Sequence, residues 1–322
     1  MDEFIAPLMS VAGDAAVSLR GLEYDLVLRD FPRGLWKAFC VLDPLAVACL
    51  LVTFLFVYCL VASWLTGDYS YVDRQWSLVP TVYTLIFAFH PSTRSGAPGQ
   101  ERVMIMAGLT TLWSVRLTFN FWRRGGYSGM EDYRWEALRA RMHPIVFQLF
   151  NLFFISSFQH VLLFLITVPA YVSRRSETPL NNLDYIAAGL FLFFLVLETT
   201  ADQQQWNFQG RKHTAKREGK PLAGDNARGF LTSGLFRYSR HPNFFAEQCM
   251  WLCVYLFSVA ATGRYINYSC VGVLLLMALF QGSTSFTEML TLKRYPLYYE
   301  YQKVTSRLVP FFPLGRVPEK RE

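Results

Sequence analysis

The chain has 322 residues, of which 52% are hydrophobic and 16% aromatic, and its formal net charge at pH 7 is +7. This apolar and aromatic content is far above that of ordinary soluble domains, so it excludes a typical soluble protein and indicates insertion into a membrane. The excess of basic residues follows from the membrane topology described below, so we expect no nucleic-acid partner.

The N-terminal region, residues 1–42, mixes acidic, basic and apolar residues, and we expect no cleavable signal peptide there. Within it, the segment FPRGLWKAF at residues 31–39 is typical of a helix that lies at the membrane interface. Residues 43–313 carry seven apolar runs long enough to cross a bilayer, which predicts an all-α membrane domain followed by a polar tail, residues 314–322. The runs are residues 43–65, 75–90, 103–121, 145–168, 183–201, 242–262 and 265–287.

Lysine and arginine cluster on one side of this predicted bundle, in the connections at residues 123–141 and 211–240 and after residue 292. Cytosolic loops carry such an excess, so we expect a cytosolic C-terminus, and seven spans then place the N-terminus on the opposite side. We expect an endomembrane such as the endoplasmic reticulum, with the organelle left open. The cysteines show no CxxC pair and the histidines no HxxxH spacing, so we expect no bound metal.

Charged residues near the second and third runs are candidates for a functional site. Asp73 lies beside Arg74 at the start of the second run, where it either belongs to a solvated turn or meets a substrate. Arg116 lies in the middle of the third run, where its charge costs at least about 3 kcal/mol unless it faces an acid or a polar cavity. The segment RRGGYSG that follows, residues 123–129, combines arginine with glycine, which suits a phosphate group.

Polar side chains also interrupt the fourth and fifth runs. In the fourth run they should point into the bundle, and we interpret His160 as a hydrogen-bonded core imidazole. Glu198 and Asp202 of the fifth run lie one turn apart on one helix face, and their stripe leads out to Lys212. Acids at this depth need cations or hydrogen-bond donors opposite them. The basic loop predicted at residues 211–228 either closes over an anionic ligand or is simply solvated.

The stretch GFLTSGLFRYSRHPNFFAEQCMW, residues 229–251, places several cations directly before an apolar helix that contains an acid. Because proline is tolerated in the first turn of a helix, we expect this helix to begin at about Pro242. Asn243, Glu247 and Trp251 then share one face. The helix N-terminus and the cations beside it predict an anion-binding site at the membrane surface, with Glu247 about one turn deeper.

Two stretches near the C-terminus resemble a known family. GLFRYSRHPNFFAEQCMW at residues 234–251 and TEMLTLKRYPLYYEYQKVTSRLVPFFP at residues 287–313 resemble the C-terminal half of the steroid 5-alpha-reductase and sterol reductase superfamily. Further upstream, DRQWSLVP, RLTFNFWRRGGYSGMEDYRW and ETTADQQQWNFQ resemble a branch of that superfamily made of membrane proteins with a domain of unknown function. The resemblance covers most of the predicted membrane domain.

The resemblance implies an NADPH-dependent membrane oxidoreductase that reduces a carbon–carbon double bond in a steroid- or lipid-like substrate. Asn243 and Glu247 match the asparagine and the acid of the family's cofactor-binding helix, and Asp202 matches an acid of the preceding helix. Asp73 falls where the family keeps a glutamate that polarises the substrate carbonyl. The candidates for the catalytic acid are Asp73, Glu198 and Tyr127, in that order. The candidates for cofactor binding are Arg116, Asn120, Arg123, Arg124, Asp202, Lys212, Arg237, Tyr238, Arg240, His241, Asn243, Glu247 and Glu288.

Two departures from the family's pattern affect these expectations. Trp113 stands where the family keeps a catalytic tyrosine, which argues against a plain 3-oxo-4-ene steroid as substrate. Gln205 and Gln209 stand where sterol reductases place basic residues, which leaves Arg211 or Lys212 to hold the phosphates.

An alternative is an S-adenosylmethionine-dependent methyltransferase of the isoprenylcysteine or phospholipid type, because those enzymes share an RHPNY-like motif and a YxxY tail. The chain departs from them in having a single Glu288 where a paired acid is common. Its basic loops also suit a polyphosphate ligand better than a cationic sulfonium. A third hypothesis is a lipid-binding or scaffolding protein whose site has lost its catalytic activity.

Overall fold

The computed structural model describes residues 2–20, 31–92, 98–129 and 131–318. Residues 21–30 and 319–322, parts of the predicted N-terminal segment and tail, lie outside the described residues. Every regular element in the described part is a helix, in agreement with the predicted all-α class. The helices are α1 Asp2–Arg20, α2 Phe31–Val41, α3 Pro44–Thr66, α4 Tyr71–Trp76, α5 Val79–Phe89, α6 Pro98–Arg123, α7 Tyr133–Arg139, α8 Pro144–Phe150, α9 Gln159–Leu165, α10 Val168–Arg174, α11 Asn182–Arg217, α12 Asp225–Arg228, α13 Pro242–Thr262, α14 Cys270–Arg294 and α15 Tyr298–Val304.

Five helical segments of the described chain are long and apolar enough to cross a membrane: α3, Pro144–Arg174, α11, α13 and α14. They correspond to five of the seven predicted runs. The second run forms α5, whose 11 residues fall short of the roughly 20 that a span needs. The third run forms α6, which is 26 residues long but is not among the five helical segments that are apolar enough to cross a membrane. The chain is therefore a multi-helix protein suited to a lipid bilayer, while the seven-span arrangement and the cytosolic C-terminus stay predictions.

The ends of the long helices follow from local sequence. Asp43 caps α3, because its Oδ1 accepts a hydrogen bond from the backbone N–H two residues on at 2.8 Å. α13 begins at Pro242, as predicted. Gly263, with φ of +68°, lies directly after α13 in the left-handed conformation that commonly ends a helix. The connection to α14 is longer than predicted, because Asn267 donates to Ser258 Oγ at 3.1 Å and organises a polar loop before the next helix starts.

The described chain divides into two compact units. Unit 1 comprises Met1–Ala188 and Cys253–Leu274, and unit 2 comprises Gly189–Leu252 and Leu275–Glu322. The boundaries fall within α11, α13 and α14.

Unit 1 holds a fully buried ion pair. Arg102 on α6 donates to both carboxylate oxygens of Asp184, at 2.7 and 2.8 Å, and both side chains are completely buried. Arg102 also donates to the carbonyl oxygens of Thr178 and Pro179, so the hydrogen-bonding capacity of this buried charge is largely satisfied. A π-helical segment, Asn151–Phe158, joins α8 to α9 in the same unit.

Unit 2 has an aromatic core at its C-terminal end. Phe230, Tyr298 and Tyr301 are buried together, so two tyrosines of the C-terminal YxxY segment are core residues. Gly229 adopts φ of +95°, and a Cβ atom there would lie 2.2 Å from the Tyr295 ring. Glycine is therefore required where the loop after α12 passes this ring.

Candidate functional site

Buried polar residues of α11 and α13 face one another in unit 2. Glu198 and Asp202 are 5% and 4% exposed, so these two acids of the polar stripe on α11 are buried within the protein. Asn243 Nδ2 on α13 donates to Asp202 Oδ1 at 3.4 Å. Glu247 lies one turn further along α13, and its Oε1 accepts a hydrogen bond from Trp251 Nε1 at 2.9 Å. The three carboxyl groups and the amide thus lie on two helices that each contain an apolar stretch long enough to cross a membrane.

Arg240, His241 and Glu288 form a second cluster in unit 2. Glu288 Oε1 lies 2.6 Å from Arg240 Nε and 3.0 Å from His241 Nε2. Tyr298 Oη and Gln302 Nε2 donate to the same carboxylate, at 3.3 and 2.9 Å. Arg240 and Glu288 are 8% and 9% exposed in their side chains. The structure therefore brings together three predicted cofactor-binding residues, and the chain's own groups already satisfy much of their hydrogen-bonding capacity.

Lys212 is held by the chain in a similar way. Its Nζ donates to the carbonyl oxygen of Gly229 and to Tyr295 Oη, both at 2.9 Å, and it lies over the Phe208 and Tyr295 rings. Burial alone would raise the pKa of Tyr295, but the hydrogen bond from Lys212 and its positive charge lower that pKa overall. Lys212 thus ties α11 to the segment after α14.

Several other polar residues of unit 2 are exposed, among them two arginines. Arg211 lies next to Lys212 on the outer face of α11, and Arg237 and Tyr238 lie at the surface before α13. Tyr238 is 37% exposed, and its ring packs edge-on against Phe312. Residues 211–217, predicted to begin a loop, are the last two turns of α11, because arginine, lysine and alanine favour helix. Exposed arginines near the end of α11 and before α13 are therefore accessible to a phosphate group.

Asp73 has a defined environment in unit 1. Its Oδ2 accepts a hydrogen bond from Trp135 Nε1 at 2.7 Å, and its Oδ1 lies 3.6 Å from Arg134 Nη2. Burial raises the pKa of Asp73, and the Arg134 charge offsets only part of that rise. The solvated-turn interpretation is therefore wrong for this side chain. Trp135 and Arg134 come from α7, within a segment that sequence reasoning treated as a basic loop.

The other predicted residues of unit 1 lie at the end of α6 and in the turn after it. Asn120 is buried, and its Oδ1 accepts a hydrogen bond from Arg123 Nε at 2.9 Å. Arg116 is partly buried and Arg124 is exposed. Tyr127 is 39% exposed and donates to the carbonyl oxygen of Arg74 at 3.2 Å. These residues belong to unit 1 and the α11–α13 residues to unit 2, so the predicted cofactor-binding residues are divided between the two units.

A buried polar cluster in unit 1 was only partly anticipated. His160 Nδ1 donates to the carbonyl oxygen of Ser156 at 2.6 Å, and its Nε2 lies 3.0 Å from Gln75 Oε1. This confirms His160 as a hydrogen-bonded core imidazole. Cys59 Sγ lies 3.6 Å from the same nitrogen and 3.3 Å from Gln75 Nε2. Among the described residues, no three or more histidine, cysteine, aspartate or glutamate side chains are grouped so that they could hold a metal ion.

Comparison with known proteins places this chain in a family. Residues 59–305 match the family described as "Protein of unknown function (DUF1295)". The chain is 42% identical over 254 residues to the uncharacterised protein C594.04c of Schizosaccharomyces pombe, an alignment that covers 76% of this chain and 73% of that protein. No solved structure matches the chain with statistical significance. The matched region contains both buried clusters of unit 2 and the Asp73 environment of unit 1, and the chain belongs to the DUF1295 family.

Proposed function

We propose that this protein is an NADPH-dependent oxidoreductase of an endomembrane such as the endoplasmic reticulum, which reduces a carbon–carbon double bond in a steroid- or lipid-like substrate. In this proposal α5 and α6 complete seven spans, and the C-terminus faces the cytosol. The proposal is supported above all by the contact between Asn243 and Asp202 at 3.4 Å, with Glu198 buried one turn before Asp202 and Glu247 one turn after Asn243.

The donor and acceptor set of unit 2 is compatible with a nicotinamide nucleotide. A carboxamide needs both acceptors and donors, which Asp202, Glu247 and the Asn243 amide provide. Phosphates need cations, and Arg211 and Arg237 offer exposed guanidinium groups in the same unit, whereas Lys212 is committed to Gly229 and Tyr295. We therefore assign the phosphate contacts to these two arginines.

A reduction of this kind adds a hydride to one carbon of the double bond and a proton to the other. When bound, NADPH supplies the hydride. The raised pKa of Asp73 favours a protonated carboxyl that can donate a hydrogen bond or a proton to the substrate, and the Trp135 indole fixes the orientation of that carboxyl. Glu198, which is buried, is the second candidate, and the exposed Tyr127 is the third.

Titration of NADPH against the purified protein in detergent, followed by nucleotide fluorescence, tests the cofactor assignment. Asn243→Ala and Glu247→Gln should each weaken binding by roughly tenfold, because each removes a hydrogen-bonding group from the site. Asn207→Ala and Glu300→Gln make the same chemical changes at exposed positions of unit 2 and should leave the affinity unchanged. Wild-type protein that shows no change in NADPH fluorescence at millimolar nucleotide would refute the proposal.

The methyltransferase hypothesis is supported by one specific observation. The Glu288 carboxylate joins Arg240 and His241 of the RHPN motif to Tyr298 of the YxxY tail, and these are the elements that resemble membrane methyltransferases. Binding of S-adenosylmethionine in the same titration, without binding of NADPH, would favour this second function.

A further inference from the structure

Tyr83 on α5 is a fully buried phenol whose hydroxyl has no hydrogen-bond partner within the described part of the chain. Its ring packs edge-on against Phe164 of α9, with centroids 5.6 Å apart. The hydroxyl groups around it on α5 are all paired: Thr81 Oγ1 donates to the carbonyl oxygen of Thr110 at 2.9 Å, and Thr84 Oγ1 donates to that of Pro80 at 2.9 Å. Among the hydroxyl groups described on α5, the lack of a partner is thus particular to Tyr83, although Ser173 Oγ on α10 is also buried without one.

Tyr171 on α10 provides a direct comparison, because it is another fully buried tyrosine of unit 1. Its hydroxyl lies 3.2 Å from Asp43 Oδ1 and accepts a hydrogen bond from Arg175 Nη1 at 3.2 Å. A buried hydroxyl without a partner costs roughly 1–3 kcal/mol, whereas phenylalanine would fill the same space without that cost. The Tyr83 hydroxyl is therefore suited to a partner that is not part of the chain.

The surroundings of Tyr83 indicate the chemistry of that partner. Helices α3, α5 and α9 pack against one another in pairs, so Tyr83 lies in a helix-lined interior. His160 lies one turn before Phe164 on α9, about 6 Å along the helix axis. On α9, the nearest polar side chain is therefore His160, which belongs to the cluster with Gln75 and Cys59. The α9 residue that packs directly against the Tyr83 ring is the aromatic Phe164. Such a place favours an apolar molecule with a single neutral oxygen over a charged ligand.

We propose that the Tyr83 hydroxyl binds a ketone or alcohol oxygen of a lipid-like molecule inside unit 1. The inference takes only the substrate class, a steroid- or lipid-like molecule, from the proposed function. Tyr83 is then the residue that recognises the oxygenated end of that substrate. Because Tyr83 is fully covered, this binding requires that the Phe164 ring or another neighbouring side chain move.

Three probes with one carbon skeleton test this inference: 5α-cholestan-3-one, 5α-cholestan-3β-ol and 5α-cholestane, which lacks oxygen. Binding to the full chain in lipid nanodiscs would be measured for wild type, Tyr83→Phe and Tyr171→Phe. Wild type should bind the ketone or the alcohol about three- to tenfold more tightly than cholestane, since one neutral hydrogen bond is at stake. Tyr83→Phe should lose this preference, and Tyr171→Phe should keep it.

Thermal unfolding of the same variants without probe gives a second, independent result. Tyr83→Phe should be at least as stable as wild type, because no bond within the chain is lost, whereas Tyr171→Phe should be less stable. The inference would be overturned if wild type and Tyr83→Phe showed the same preference for the oxygenated probes. It would also be overturned if wild type showed no such preference, which would mean that water alone satisfies the hydroxyl. NADPH titration of the same samples reports separately on the proposed function, and Tyr83→Phe should not change it.

Discussion

Replacement of Glu288 by glutamine distinguishes a structural role for this residue from a cofactor-binding one. The carboxylate is 9% exposed in its side chain and lies within hydrogen-bonding distance of Arg240, His241, Tyr298 and Gln302. These partners come from the loop before α13 and from α15, so one acid on α14 holds three segments of unit 2 together. Glutamine has nearly the same shape, but it lacks the negative charge and presents an NH2 group to side chains that are mostly donors.

The expected cost is large. Removing one partner of a buried ion pair destabilises a protein by about 3–5 kcal/mol, because the remaining Arg240 charge is left uncompensated. At roughly 2 °C per kcal/mol for a large domain, Glu288→Gln should lower the midpoint of thermal unfolding by about 6–10 °C. Glu300→Gln, the same change in an exposed pair with Lys303, should lower it by about 2 °C or less.

The assay is thermal unfolding in detergent, combined with NADPH titration below the unfolding range. If Glu288 is structural, the unfolding midpoint falls while the affinity of the folded protein for NADPH stays within about threefold of wild type. The double variant Arg240→Met with Glu288→Met should then be more stable than the sum of the single effects predicts, since neither charge is left alone. An unchanged midpoint with strongly weakened NADPH binding would refute the structural reasoning and return Glu288 to the cofactor site.

Three further predictions follow from other contacts. Arg102→Met should destabilise the protein by about 3–5 kcal/mol in thermal unfolding, because it leaves the buried Asp184 charge unpaired. The double variant Arg102→Met with Asp184→Leu should cost less than the sum of the two single changes, and additive costs would contradict this reasoning. The raised pKa of Asp73 means that its contribution to stability is present at acid pH and is lost as the pH rises through that pKa. Asp73→Asn should therefore gain stability relative to wild type between mildly acidic and neutral pH, as measured by thermal unfolding. A stability difference between the two proteins that does not depend on pH would contradict the burial argument. Lys212→Met should lower the unfolding midpoint and leave NADPH affinity unchanged, whereas Arg211→Met should weaken NADPH binding; the reverse pattern would reassign the phosphate contact.

Helix faces were predictable from the sequence, because helical periodicity fixes which residues share a face. The Glu198–Asp202 stripe, the start of α13 at Pro242 and the inward orientation of His160 all followed from spacing and from the cost of burying polar groups in lipid. The second run was predicted to begin at residue 75, but α4 ends at Trp76 and α5 begins only at Val79, which leaves a helix of 11 residues.

Long-range partners were not predictable, because spacing along the chain carries no information about which distant segment approaches a side chain. Lys212 was predicted to bind a phosphate because it follows a polar stripe. In the structure it donates hydrogen bonds to the carbonyl oxygen of Gly229 and to the hydroxyl of Tyr295 instead. The role of Trp135 was equally unpredictable, since nothing about a tryptophan in a basic segment indicates that its indole N–H donates a hydrogen bond to Asp73.

The RHPN motif divides into two halves with different tasks. Arg240 and His241 contact Glu288, whereas Asn243 contacts Asp202 on α11. Pro242 separates them, and because it starts α13 it lies at the boundary between the preceding loop and the helix. Substitutions in the first half should therefore act on ligand binding through the stability of unit 2, and Asn243→Ala should act on binding with little change in stability. A variant of Arg240 that kept full thermal stability but lost nucleotide binding would show that the motif acts as one binding element.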